Sequence, residues 1–273
     1  MDSALRPAPM PYALVMGALP DGLEGQADWH TSYESQGREL DAFFATPSAP
    51  GPHPGLVFHH SSAGLMAGAQ AGLTALISAG YAIVAPVRRG HNGNPGPCWE
   101  SLVISPWGSS AMGDELVAAL DDEYTDVLAA LDWMRRRPEV DPDRIAMLGS
   151  SFGGVMVMLA AGRRAPFRAG VSFAGPSITW PDAPALQTVL LDAMRTAEVP
   201  MFLIQAFDDV CLTPTYVLGA ALAGRGAAHE VRIYGPLGEA PGDGHGVFNK
   251  AVEQWLPDVV RFLDRWLSPT ANR

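Results

Sequence analysis

Lysine is nearly absent from this chain: of its 18 basic residues, Lys250 is the one lysine. With abundant alanine, glycine and proline, that arginine bias points to a GC-rich genome rather than to a function. Basic charge as a whole is short, 18 residues against 29 aspartates and glutamates, for a net charge of -11. An acidic chain without a basic cluster is a poor ligand for nucleic acid or for an anionic membrane surface. Cysteine is scarce too. Cys98 and Cys211 make neither a disulfide framework nor a zinc site, and free thiols in a reducing compartment are expected. No segment approaches the roughly 20 apolar residues needed to span a bilayer. The opening MDSALRPAPMPYALVMGALPDG lacks a basic start before a long apolar core, and Pro7, Pro9 and Pro11 interrupt it. No signal peptide is read there, so the expected location is the cytoplasm.

What is present is the composition of a globular protein, 48% hydrophobic and 17% charged over 273 residues. At about 150 residues per domain, that length allows one large domain or two small ones. It can bury about three quarters of the surface of the unfolded chain. There is no composition break, internal repeat or low-complexity linker. The simplest organisation is therefore one domain over 1–273, with the Pro- and Gly-rich residues 1–25 as an N-terminal arm. Assembly into a homo-oligomer is left open.

Strand and helix patterns alternate after the arm. ELDAFFATP (39–47), GLVFHHS (55–61), YAIVAPV (81–87), RIAML, AGVSFAG, PMFLIQAF and AHEVRIYG read as strands. AGLTALISAG reads as a helix closed by Gly80. Leu116, Leu120, Tyr124, Val127, Leu128, Leu131 and Met134 recur at spacings of three and four, which predicts one face of a long helix ending at Pro138. VMVMLAA (155–161) is apolar all round, as a largely buried helix requires. Trp255, Val259, Phe262, Leu263 and Trp266 form the stripe of a C-terminal helix that contains Pro257. Short apolar strands alternating with helices imply a largely parallel sheet covered on both faces.

RIAMLGSSFGGVM (144–156) carries the chemistry. Gly149-Ser150-Ser151-Phe152-Gly153 fits G-x-S-x-G between a strand pattern and a helix pattern. A nucleophile on such a turn needs neighbours without a Cβ, and the turn lifts its hydroxyl clear of the sheet. Ser151 is the candidate nucleophile, and Ser150 is the spare serine. A serine hydroxyl needs a base, and the base needs an acid that fixes its tautomer. Of His30, His53, His59, His60, His91, His229 and His245, only the last lies in a glycine-rich loop, GDGHGVF, between the last strand and the final helix. The acid is expected at the end of PMFLIQAFDDV. Neighbouring residues there point opposite ways. Asp209 is the choice, with Asp208 the alternative, while Asp243 stands too close to His245 and serves the turn.

The order Ser151, Asp209, His245 on an alternating chain resembles the α/β-hydrolase superfamily, within it the dienelactone hydrolase-like and prolyl-oligopeptidase-like branch, over roughly residues 55–267. The resemblance implies an α/β-hydrolase fold: a mostly parallel sheet of about eight strands, helices on both faces, and a small lid or none. It implies an oxyanion hole made by the N–H of Phe152 and a second N–H from FHHSSAG (58–64), there Ser61, with His60 in place of the family's usual glycine. VRRGHNGNPG (87–96) is similar to the family's R-G-x-G loop. His60, Arg88 and Arg89 become candidate substrate-binding residues near the pocket rim. The arginines fit a substrate carboxylate or a structural tie between loops, and His59 and His60 also fit the polar end of a strand. Dienelactone hydrolases proper use cysteine where Ser151 stands, and prolyl oligopeptidases carry a propeller domain for which 273 residues leave no room. The expected activity is hydrolysis of a small-molecule carboxylic ester through an acyl-enzyme, without metal or organic cofactor. The alternatives are an aminopeptidase or amidase, or a non-catalytic binding protein on the same fold.

Overall fold

The computed structural model describes residues 30–268, so the expected arm at 1–25 lies outside the described residues. The first two strands, β1 (His30–Ser35) and β2 (Arg38–Ala45), form a hairpin. Gln36 and Gly37 both take positive φ, 51° and 73°, as a two-residue turn matched to strand twist requires. Then follow β3 (His53–His59), α1 (Gln70–Ser78), β4 (Ala82–Pro86), the short α2 (Trp99–Leu102) and the long α3 (Ser110–Arg135). Next come β5 (Val140–Ser150), α4 (Phe152–Gly162), β6 (Gly170–Phe173), α5 (Pro184–Thr196), β7 (Met201–Ala206) and α6 (Thr213–Gly224). The chain closes with β8 (His229–Tyr234), the single-turn α7 (Val247–Lys250) and α8 (Val252–Leu267).

Among the described residues the strands form one eight-stranded sheet in the order β1-β2-β4-β3-β5-β6-β7-β8. β1, β2 and β4 pair antiparallel, and every other neighbouring pair is parallel. Alternate side chains of each strand feed opposite faces. Val57, Val84 and Met147 join the core under α3, α4, α5 and α6. Leu56, Ile83, Leu148 and Phe202 join the core under α1 and α8, where Phe248 and Trp255 stack and Phe173 meets both edge-on. Both faces are dry, which is why the central strands read as continuous apolar runs.

Besides the short helices α2 and α7, two longer elements go beyond the sequence expectation. β1 is a strand that no apolar run announces, and α6 forms across a stretch rich in proline and glycine. Pro257 lies inside α8 on its exposed side. There its missing N–H removes one bond from the helical ladder without displacing a buried side chain. No helix among the described residues is long and apolar enough to cross a membrane.

Candidate active site

All the parallel strands end at one edge of the sheet, and the candidate residues gather there. Ser151 sits between β5 and α4 at φ 54° and ψ -120°, a conformation an L-residue holds only when its surroundings enforce it. The enforcement is visible. Ser151 N–H donates to the Phe173 carbonyl (2.8 Å), and the Ser151 carbonyl accepts from Val155 N–H (3.1 Å). A Cβ on Gly149 would collide with the backbone of Gly153, and one on Gly153 would collide with the carbonyl of His59. The glycines are thus fixed by close backbone approach, and the carbonyl end of β3 is pressed against the start of α4.

His245 arrives from the opposite side on a 3₁₀ turn, Asp243–Gly246. Its Nε2 lies 2.9 Å from Ser151 Oγ and its Nδ1 lies 2.9 Å from Asp209 Oδ1. A carboxylate only accepts, so Nδ1 carries the hydrogen and Nε2 is free to accept from the serine hydroxyl. Asp209 is buried and fully bonded: Oδ1 also accepts from Ser177 Oγ (2.7 Å) and Val210 N–H (2.7 Å), and Oδ2 accepts from Gln205 Nε2 (2.7 Å). Burial pushes its pKa up, but the hydrogen bond and charge of His245, with Ser177 and Gln205, outweigh burial and hold the carboxyl below its usual range. Asp208 points the other way, accepting from Leu237 N–H (3.0 Å) and Gly238 N–H (2.9 Å). Its carbonyl takes Gly242 N–H at 2.6 Å. The two aspartates divide the work: Asp209 meets the imidazole, and Asp208 ties down the loop that brings it. Asp243 accepts from Ala240 N–H within the turn (3.0 Å). Ser177 and Gln205 were not singled out in the sequence. Gln205 on β7, four residues before Asp209, was the readable hint.

Phe152 is the first residue of α4, so its N–H has no carbonyl within the helix to bond. Trp99 packs edge-on against its ring at 5.2 Å. Ser61 stands in the loop after β3, closed by a bond from Gly64 N–H to the Ser61 carbonyl (3.3 Å).

Three residues expected at the substrate face are occupied elsewhere. Arg88 is wholly buried, its guanidinium spent on Glu123 Oε2 (2.8 Å) and on the carbonyls of His60 (3.0 Å) and Ser61 (3.2 Å). Arg89 is buried on Asp126, which takes its Nε (2.9 Å) and Nη2 (2.6 Å), and on Asp122 (3.0 Å). Both guanidiniums are buried on these partners, so neither faces a substrate carboxylate. Both tie loops to α3, whose apolar face also carries the buried carboxylates. His60 is buried too, Nδ1 donating to the Ser61 carbonyl (2.7 Å) and Nε2 accepting from Arg88 N–H (3.0 Å). It supports the loop and offers no free atom to substrate. Among the described residues, no cluster of three or more His, Cys, Asp or Glu side chains is arranged to hold a metal ion.

The sheet order, the strained serine between strand and helix, and the bonded Ser–His–Asp series at the carboxyl edge define an α/β-hydrolase. More narrowly, residues 40–257 match the Dienelactone hydrolase family, and the chain belongs to that family. A curated relative, the uncharacterised peptidase YuxL of Bacillus subtilis, is 36% identical over 77 residues, which cover 26% of this chain and 12% of the relative. The chain thus matches only a small part of that protein's length. Among solved structures, the acylaminoacyl peptidase of Pyrococcus horikoshii superposes with a TM-score of 0.64 at 20% identity, over 87% of this chain and 41% of the peptidase. An esterase of Pyrococcus furiosus superposes with a TM-score of 0.64 at 16% identity, over 88% of this chain and 90% of the esterase.

Proposed function

We propose that this hydrolase cleaves carboxylic esters through an acyl-enzyme on Ser151. The observation that carries the reading is the unbroken hydrogen-bond series from Ser151 Oγ through His245 to Asp209, at 2.9 Å in each step. Ser151 Oγ attacks the ester carbonyl while Nε2 of His245 takes its proton. Asp209, ionised and fully bonded, stabilises the imidazolium. The oxyanion is met by the N–H of Phe152 and the N–H of Ser61. One donor of this kind contributes about 3–4 kcal/mol to the transition state. His245 returns its proton to the leaving alcohol, then deprotonates a water that releases the acid and regenerates the serine.

Cleavage of amides is the second reading, favoured by the peptidases among the similar proteins. It asks more of His245, since an amine leaves only when protonated. Turnover of p-nitrophenyl acetate set against an aminoacyl p-nitroanilide separates the two. The ester is expected to be the faster substrate, and Ser151→Ala is expected to lower kcat by roughly 10⁴ to 10⁶. A fluorophosphonate should label the native chain at Ser151 and leave the variant unlabelled. Ester turnover that survives the substitution would sink the assignment.

A further inference from the structure

Beneath the loop that follows β3 lies an ion pair shut off from solvent. The side chains of Arg88 and Glu123 are both 0% exposed. A buried pair is a poor source of stability, since apolar side chains of the same volume do as well or better. This pair is set apart by where its remaining hydrogen bonds go. The two free arms of the guanidinium hold the carbonyls of His60 and Ser61. The other oxygen of Glu123 accepts from Trp99 N–H (3.0 Å), and the Trp99 indole N–H reaches the carbonyl of Ser62 (3.2 Å). One carboxylate therefore organises the donors to three consecutive carbonyls. The His60 ring, bonded to the Ser61 carbonyl and to Arg88 N–H, closes the assembly.

In a trans peptide the C=O of one residue and the N–H of the next point in opposite directions. Drawing the His60 carbonyl onto Arg88 turns the Ser61 N–H away from the buried pair. The same loop backs onto the nucleophile turn, because a Cβ on Gly153 would strike the carbonyls of His59 and His60. We infer that Arg88 and Glu123 are positioning residues that set the Ser61 peptide plane, and so aim the second oxyanion donor, without touching substrate themselves. This rests on the acyl-enzyme reading, and it makes the Arg88–Glu123 pair a device for transition-state geometry rather than for folding alone.

The test compares Glu123→Gln and Arg88→Lys with Arg89→Lys, all in the full chain. Arg89 is equally buried and ion-paired, but its side chain bonds Asp122, Thr125 and Asp126 on α3 and none of the loop carbonyls. With an activated ester, the Glu123 and Arg88 variants should lose on the order of ten- to a hundredfold in kcat, a fraction of what deleting a donor costs, with KM within about twofold. Inhibition by a phenylboronic acid, which gives an anionic tetrahedral adduct with a serine, should weaken by the same factor. Arg89→Lys should lower Tm comparably and leave kcat and boronate affinity as they were. If the Glu123 and Arg88 variants keep native kcat, or lose no more than Arg89→Lys, the inference is overturned. Should they fail to fold, Trp99→Phe decides. It keeps a ring beside Phe152 and removes only the bond to Ser62, and a severalfold loss in kcat with matching loss of boronate affinity supports the inference, whereas native values overturn it. An inactive wild type that no fluorophosphonate labels would instead defeat the underlying esterase reading.

Discussion

Adjacent aspartates with separate tasks make the residue scale testable. Asp209 is buried against His245, Ser177 and Gln205, and Asp208 faces the backbone of 237–238. In the proposed mechanism Asp209→Asn removes the charge that stabilises the imidazolium and permits the wrong tautomer, so kcat should fall by about 10⁴ while the fold persists. Asp208→Asn keeps one acceptor oxygen but weakens bonds that hold the His245 loop. Its main effect should be on stability, a loss of about 1–3 kcal/mol, with a far smaller fall in kcat. Steady-state kinetics and urea unfolding of the two variants check the division. Equal kinetic damage at both positions would contradict it.

At the scale of elements, the turn from β5 into α4 is a packing problem solved by glycine. Gly153→Ala would force a methyl into the carbonyls at the end of β3, and backbone cannot step aside as a side chain can. A loss of about 3 kcal/mol or more is expected, together with a disturbed loop after β3. Gly224→Ala, at the last residue of α6 with open space around the new methyl, should instead be neutral or stabilising by up to about 1 kcal/mol. Chemical denaturation of the two variants reads the contrast. The strand, turn and helix of this motif were legible because local spacing encodes them, and so were the neighbouring parallel strands, whose two dry faces require unbroken apolar runs. β1 was not legible: it is an edge strand, it buries only Tyr33 and Ser35, and HTSYES shows no apolar alternation. α6 was hidden by Pro214 and Gly219. The proline stands in the first turn, where a missing N–H costs nothing, and the glycine lets the helix approach Val231 of β8. The roles of Arg88 and Arg89 were illegible for a different reason. Their partners lie 33 to 37 residues away on α3, where the buried carboxylates Glu123 and Asp126 are interleaved with the apolar residues that a periodicity reading follows.

Across the whole molecule, four buried groups that titrate on the acid side, His59, His60, Glu123 and Asp209, respond to pH with one sign. His59 is fully buried beside Arg88, and among the described residues neither of its ring nitrogens meets a hydrogen-bonding partner. Burial, then the charge of Arg88, lowers its pKa from 6.5 to about 3. Burial and Arg88 likewise hold His60 well below its ordinary value. Below about pH 6.5 the unfolded chain therefore binds protons at these histidines that the folded chain refuses. Stability is full above that pH and falls as pH drops toward 3, with a slope approaching about 1.4 kcal/mol per pH unit for each histidine. Two carboxylates add to the loss further down. Burial opposes the charge on Glu123, but His91 and Arg88 overcome it and hold the pKa at about 2, and Asp209 is also lowered. Their contributions are present above the ordinary carboxylate range and drain away below it. None of these groups titrates in the sense that would offset the others, so the fold should be acid-sensitive, its decline beginning near pH 6.5 rather than near pH 4. Thermal unfolding between pH 8 and pH 4.5 measures this directly, with Tm expected to drop steeply below about pH 6.5. His59→Gln removes one of the refused protons and should flatten that drop, even if it lowers Tm at pH 8. A native profile that stays level down to pH 4.5, or a variant profile as steep as the native one, would show that these histidines accept protons in the folded state after all.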